Sequence, residues 1–186
     1  GTGRPRQVKE KDMSFNFYKA MSLLLEYPTQ ELHTNLDDLV KAVSQDAEMQ
    51  DEERAAVLDL IAFMRQSDLI ELQAEYVKTF DLVAEHSLHL THHLFGDDKN
   101  RGPALIDLTE MYKEYGLDQS TNELPDYLPL VLEFASQLED SEARVFLADT
   151  SKILKVLADN LDKVSSPWAN CIRLIEKRGS LLALAA

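Results

Sequence analysis

Apolar side chains recur every three or four residues along most of the chain, the spacing that places them on one face of an α-helix. No segment shows the sustained alternation of apolar and polar residues that is typical of a half-buried strand. The helical segments that this pattern predicts are 14–27, 29–43, 51–65, 68–80, 87–95, 103–116, 128–138, 142–161 and 167–178. The sequence therefore predicts an all-α fold, a single-domain bundle of about eight helices.

Residues at the ends of these segments support the predicted boundaries. Ser14 and Ser166 are suited to cap the first and last helices, because a serine oxygen can accept from a free amide there. Asp68 and Glu71 have the spacing of a capping box. Gly96 follows one predicted helix and is suited to a left-handed terminus.

Length and composition indicate one globular domain. The chain has 186 residues, of which 45% are hydrophobic and 28% charged. We assign 14–180 to a helical domain, 1–13 to a flexible N-terminal arm and 181–186 to a C-terminal tail. No apolar run approaches the roughly 20 residues of a membrane-spanning helix, and the polar start does not resemble a secretory signal. The lone Cys171 excludes an intrachain disulfide. These features predict a cytoplasmic protein.

The charge balance restricts the partners. The sequence has 19 Lys and Arg against 33 Asp and Glu, a formal net charge of −14. Such a field repels nucleic-acid phosphates and anionic lipids, so we expect no nucleic-acid partner and no direct membrane insertion. A net negative charge is compatible with a basic peptide as partner. The alternative interpretation is that the acidic residues only keep the protein soluble.

Glu123-Leu124-Pro125-Asp126-Tyr127 is predicted to be a loop ahead of a helix. Pro125 disfavours helical backbone at Leu124, and Asp126 lies where a carboxylate can cap the next helix. In a second interpretation, Glu123 and Asp126 form an acidic mouth beside Tyr127 that pairs with arginines.

The segment 96–102 is a second loop of interest. Glycine-rich loops before helices can bind phosphate, but this one lacks the P-loop pattern, and Asp97 and Asp98 would repel phosphate. We expect Arg101 to pair with those two acids or with Glu123.

Histidines raise the possibility of a metal site. His86, His89 and His93 have i, i+3, i+7 spacing and would share an arc of about 60° on a helix. Imidazoles one turn apart can chelate zinc or nickel. The alternative function is therefore a helical metal-binding protein or metal-dependent enzyme. A surface or groove-lining cluster is the other interpretation, and since no catalytic pattern is otherwise present we expect no enzyme.

Three signatures together closely resemble the NarJ-type nitrate reductase assembly chaperones of the TorD family, which serve molybdenum enzymes. They are Tyr76–Asp81, Gly96–Ala104 and Glu123–Phe134. The resemblance implies a TorD-like helical fold and a chaperone without cofactor or chemistry of its own. Its partner would be the catalytic subunit of a molybdenum oxidoreductase such as respiratory nitrate reductase. It would bind the subunit's N-terminal twin-arginine segment or its remnant, assist cofactor insertion and delay membrane attachment.

The resemblance also implies a peptide-binding site. Its expected residues are Tyr76, Phe80, Asp81, His93, Asp97, Arg101, Glu123, Pro125, Asp126 and Tyr127. The aromatic members would be groove walls, the acids a rim that selects arginines, and Arg101 a structural clamp across the loops. The histidine-rich segment is atypical of this family. An alternative client is therefore a related enzyme that handles selenate, chlorate, perchlorate or a hydrocarbon. A generic helical adaptor is the remaining alternative.

Overall fold

The computed structural model describes residues 15–95, 99–117 and 123–185, with side chains described through residue 180. The α-helices in these residues are α1 (Phe17–Leu24), α2 (Gln30–Thr34), α3 (Leu36–Gln45), α4 (Asp51–Gln66), α5 (Leu69–Tyr76), α6 (Leu90–Phe95), α7 (Arg101–Glu114), α8 (Leu128–Ser136), α9 (Asp140–Ala148), α10 (Ser151–Lys163) and α11 (Ala169–Ala185). A π-helical turn, Val77–Asp81, continues α5, and a 3-10 turn, Ala84–His86, precedes α6. Within the described residues no sheet forms, so the all-α prediction is confirmed.

Eleven α-helices are found in the described residues, more than the predicted eight or so. The nine predicted segments become eleven helices because two of them are each divided. Asn35 ends α2 and begins α3. Thr150 separates α9 from α10, and its hydroxyl donates to the carbonyl of Leu147 at 2.7 Å. The helix predicted over 87–95 is wrong at its start, since α6 begins only at Leu90.

The predicted caps had mixed outcomes. Ser14 lies outside the described residues, and α1 is capped by Asn16, whose side chain accepts from the amide of Lys19 at 2.9 Å. Asp68 makes no capping hydrogen bond with its side chain, so the predicted capping box there is wrong.

Further helix ends were predicted correctly. The Ser166 hydroxyl accepts from the amide of Trp168 at 3.3 Å, just before α11. Gly116 follows α7 with φ of 77°, a conformation that favours glycine. Gly96 lies outside the described residues. The N-terminal arm and tail assignments stay predictions, although helical backbone continues to Ala185.

The main core lies where α11 packs against α4, α9 and α10, and where α1 packs against α8. The fully buried Trp168 is its largest side chain, and the rings of Phe63, Tyr76 and Phe80 pack against it. Gly179 permits the close approach of α11 and α9, because a Cβ there would lie 2.8 Å from the carbonyl oxygen of Leu147. Among the described helices, none is long and apolar enough to cross a bilayer.

A buried ion pair joins α11 to α4. The Arg178 guanidinium donates to both carboxylate oxygens of Glu53, at 2.5 and 2.7 Å. It also donates to Asp140 at 3.1 Å and lies over the rings of Phe17 and Tyr18. Glu53 and Arg178 are both buried and have lost their hydration. The attraction and hydrogen bonds between the two charges replace it.

Replacing Arg178 with Met is expected to reduce the free energy of unfolding by about 3–5 kcal/mol, because the Glu53 carboxylate would stay buried without its partner. Arg178→Lys keeps the charge but loses the two-pronged geometry, so an intermediate loss is expected. Urea unfolding at pH 7 measures both. The exposed pair of Arg65 and Asp37 provides the control, since Arg65→Met should cost about 1 kcal/mol or less. If Arg178→Met and Arg65→Met reduced the free energy of unfolding equally, the stabilising role assigned to the buried pair of Glu53 and Arg178 would be contradicted.

Candidate functional site

Two segments that are distant in sequence pair just before α6 and α8. The amide of Leu90 donates to the carbonyl of Asp126 at 3.2 Å, and the amide of Leu128 donates to the carbonyl of Leu88 at 2.8 Å. The residues between these pairs form an isolated antiparallel bridge. This pairing holds the start of the third predicted signature, just before α8, against the segment that precedes α6.

Asp126 lies at the centre of this junction and is fully buried. One carboxylate oxygen accepts from the amide and hydroxyl of Thr91, at 2.9 and 2.6 Å. Thr91 is the second residue of α6, so Asp126 caps α6 rather than α8, the helix that follows it in sequence. The predicted position of Asp126 on an acidic rim is therefore wrong. Its other carboxylate oxygen has no hydrogen-bond partner among the described residues.

Arg101 completes the junction from the start of α7. Its Nε donates to the Thr91 hydroxyl at 2.9 Å, and a terminal nitrogen lies 3.9 Å from the Asp126 carboxylate. These contacts join the start of α7 to α6 and to the loop before α8. Glu123 pairs elsewhere, and Asp97 and Asp98 lie outside the described residues.

Pro125 anchors the same loop to α7. It is buried, and its carbonyl accepts from the Tyr112 hydroxyl at 2.7 Å. Tyr112 belongs to a second apolar cluster with Leu130 and Phe134. Pro125 therefore has a structural position, and its predicted contact with peptide stays a prediction.

Tyr76 and Phe80 lie in the core, with only 3% and 6% of their surface exposed. The Tyr76 hydroxyl donates to the carbonyl of Leu25 at 2.7 Å and lies 3.0 Å from the Tyr127 hydroxyl. The prediction that these two side chains are groove walls is wrong. Tyr76 instead holds the half-buried Tyr127 at its hydroxyl, and Phe80 packs against Tyr76.

The surface around Tyr127 is acidic and aromatic. The His89 ring stacks on Tyr127 with ring centres 5.2 Å apart, and His89 Nε2 lies 3.4 Å from the Glu123 carboxylate. Burial raises the pKa of Tyr127 to about 12, and the charges of Glu123, Glu26 and Asp81 act in the same direction. Tyr127 therefore keeps its proton at neutral pH. We call Glu26, Asp81 and Glu123, with Tyr127 and His89, the acidic patch.

Glu26 is the member of the acidic patch that the sequence pattern missed. Glu26 is exposed as a whole, but partial burial of its carboxyl raises its pKa. The nearby carboxylates of Glu133 and Glu123 add to the effect, although Lys19 opposes it. Nothing local in the sequence relates the end of α1 to the loop that contains Glu123. Only the packing of α1 against α8 brings them together.

The three candidate metal-binding histidines do not share a helical face. His86 ends the 3-10 turn, and its Nδ1 lies 2.9 Å from the carbonyl of Thr79. His93 is in α6, with Nε2 2.7 Å from the carbonyl of Ser87. His89 lies between them in the bridge. Among the described residues, no group of three or more His, Cys, Asp or Glu is arranged to hold a metal ion. The role of His93 in peptide binding stays a prediction.

The fold and site together define a class of helical protein whose main chemical feature is an acidic surface patch. The sequence profile of the nitrate reductase delta subunit family matches residues 46–172. Because that match covers most of the chain, this protein belongs to the nitrate reductase delta subunit family.

Several relatives have similar sequences. The nitrate reductase molybdenum cofactor assembly chaperone NarJ of Escherichia coli K12 is 34% identical over 157 residues, 84% of this chain and 66% of that protein. The probable chaperone NarJ of Bacillus subtilis 168 is 30% identical over 161 residues, 85% of each chain. A probable assembly chaperone of E. coli K12, NarW, is 34% identical over 166 residues. The chain thus spans just under two thirds of the length of E. coli NarJ.

Asp126→Asn is expected to lower the free energy of unfolding by about 1–3 kcal/mol, since hydrogen bonds to a buried charge would be weakened. Exchange of the Thr91 amide hydrogen should accelerate, because that amide donates directly to the carboxylate. Chemical unfolding and amide exchange followed by NMR measure the two effects. Glu123→Gln, at an exposed position, serves as the control. If Asp126→Asn changed the stability and the Thr91 amide exchange no more than Glu123→Gln does, the role of Asp126 at the junction would be ruled out.

Glu26→Gln tests whether the acidic patch costs stability. The folded pKa of Glu26 is raised, so its ionisation opposes folding as pH rises through that value. The variant should therefore unfold at a higher temperature than the parent at pH 7, with a smaller difference at pH 4, where the carboxyl gains a proton. Thermal unfolding at the two pH values measures this. A difference that does not grow between pH 4 and 7 would contradict the raised pKa of Glu26.

Proposed function

We propose that this protein is a chaperone for the catalytic subunit of a molybdenum oxidoreductase such as respiratory nitrate reductase. Membership of the delta subunit family and the names of the relatives support this role. The chaperone would act in the cytoplasm, bind the client's basic N-terminal segment and perform no chemistry. It would hold the client ready for cofactor insertion and delay its attachment to the membrane.

The acidic patch is the observation that carries the proposed binding mode. Glu26, Asp81 and Glu123 are near the Tyr127 ring, and all three are exposed. An arginine guanidinium can stack on an aromatic ring while it donates two parallel hydrogen bonds to a carboxylate. A twin-arginine segment offers two such groups.

His89 would compete with the client for Glu123. His89 Nε2 lies 3.4 Å from that carboxylate. Arginine is always charged and presents a planar fork, so it is the stronger partner for a carboxylate at neutral pH. We infer that an incoming arginine takes the place of His89, both beside Glu123 and on the Tyr127 ring.

The test is titration of the chain with an arginine-bearing signal peptide in low and moderate salt. Glu123→Gln and Glu26→Gln should each weaken binding about threefold to tenfold and reduce its salt dependence, because one charge pair would be lost. Glu71→Gln on α5, also exposed, is the matched control. Replacing the peptide arginines by lysines should weaken binding further, since lysine lacks the planar fork.

Unchanged affinity and salt dependence in both patch variants would remove the acidic patch from the mechanism. Asp126, which lies inside the protein, is unsuitable for this test. The client itself is identified by finding which catalytic subunit co-purifies with the chain. A subunit that handles selenate, chlorate, perchlorate or a hydrocarbon would redirect the proposal to that enzyme.

A further inference from the structure

His86 joins two segments of the chain that each supply a residue of the acidic patch. It ends the 3-10 turn that precedes α6, and only 6% of its surface is exposed. Its Nδ1 lies 2.9 Å from the carbonyl oxygen of Thr79, in the middle of the π-helical turn. Asp81 lies two residues after Thr79, and His89 lies three residues after His86. The contact between His86 and Thr79 therefore holds together the two segments from which these patch residues project.

The direction of this hydrogen bond follows from its acceptor. A carbonyl oxygen can only accept, so Nδ1 of His86 carries the hydrogen. The same bond forms when Nε2 is also protonated, so it does not depend on the charge of the ring. The last carbonyls of a helix have no amide partner within it, and the carbonyl of Thr79 obtains a donor from His86. Since Thr79 is only 7% exposed, loss of that donor would be costly.

Each side of this bond is held by a neighbouring element. Asn160 of α10 donates from its side-chain amide to the carbonyl of Glu85 at 3.2 Å, which connects the 3-10 turn to α10. In the π-helical turn, Phe80 packs against Trp168 in the core, with ring centres 5.2 Å apart. The π-helical turn is thus fixed on its inner side by Phe80 and near its end by His86.

We propose that His86 is a positioning residue of the acidic patch, which holds the end of the π-helical turn so that the Asp81 carboxylate stays near Tyr127. Asp81 is exposed, and its charge contributes to the raised pKa of Tyr127. If His86 supplied no donor, the carbonyl of Thr79 would have to turn towards water, and Asp81 would move with it. The expected effect on peptide binding rests on the function proposed for the patch, whereas the effect on the turn does not.

The turn is tested with two variants of His86. His86→Phe keeps a ring but removes the donor, so exchange of the Leu82 amide hydrogen, which donates to the carbonyl of Val77 at 3.2 Å, should accelerate about fivefold or more. In His86→Asn the side-chain amide nitrogen takes the place of Nδ1, so the rate should stay within about twofold of the parent. Amide exchange followed by NMR measures both. The carbonyl carbon shift of Thr79 should change only in His86→Phe.

The consequence for the patch is tested by titration with a signal peptide that contains two arginines. His86→Phe should weaken binding about threefold to tenfold, because one carboxylate would be displaced. His86→Asn should bind like the parent, even if loss of the ring lowers the stability of the fold. In an Asp81→Asn background, His86→Phe should have little further effect, because it acts through the Asp81 carboxylate.

His33→Phe is the matched control. His33 Nε2 also lies close to carbonyls at the end of a helix, those of Met64 and Ser67, at 3.1 and 3.0 Å, but His33 is not part of the patch. This variant should change neither the amide exchange in the π-helical turn nor the affinity. Asn160→Ala, at a half-buried position, releases the 3-10 turn from α10 and should act like a weaker His86→Phe. If circular dichroism shows that His86→Phe does not fold, Asn160→Ala decides in its place.

The inference is overturned if His86→Phe leaves the Leu82 amide exchange unchanged, or if it weakens peptide binding equally with and without the Asp81 carboxylate. It is also overturned if Glu123→Gln weakens binding and His86→Phe does not. Faster exchange with unchanged affinity in His86→Phe, Glu123→Gln and Glu26→Gln would support the role of His86 in the turn and remove the patch from the proposed function.

Discussion

A buried carboxylate, that of Asp126, determines how the central part of this protein is arranged. Taking a charge out of water is costly unless hydrogen bonds replace its hydration. Here the replacement comes from Thr91 on α6, with Arg101 of α7 close by. The loop before α8 can therefore take this path only when α6 and α7 are in place. Glu123 and Tyr127 flank Asp126 in sequence, so the same interaction positions the surface on which the proposed function depends.

Tyr76 links that surface to the core. Its ring packs against Trp168 and Phe80, while its hydroxyl reaches Tyr127. The half-buried Tyr127 is therefore held at its hydroxyl by a core residue, and the His89 ring stacks on the Tyr127 ring. A rigid aromatic platform binds a cation at low entropic cost, because few side-chain rotations are lost. The functional surface is in this sense an extension of the hydrophobic core.

The sequence predicted the helices well because their apolar spacing depends only on neighbouring residues. The all-α fold, the Gly116 terminus and the cap at Ser166 are examples. Predictions failed where a distant segment decides the outcome. Asp126 has the local pattern of an N-cap, and it is one, but for a helix that is far away in sequence. Glu26 joins the acidic patch only through helix packing. The histidines keep their helical spacing in sequence, yet the bridge at His89 breaks the helix on which a shared face depends.

The π-helical turn at Val77–Asp81 restricts which changes of sequence the protein can accept during evolution. A π turn contains one residue more per turn than an α-helix and often occurs at functional sites. Phe80 thereby remains inside, and the next residue, Asp81, is exposed. The helix ends at Asp81, so loss of a single residue before Phe80 in this turn would shorten it only slightly, yet it would rotate Phe80 and Asp81 by about 100° around the axis. Homologues are therefore expected to tolerate substitutions here more readily than changes in length.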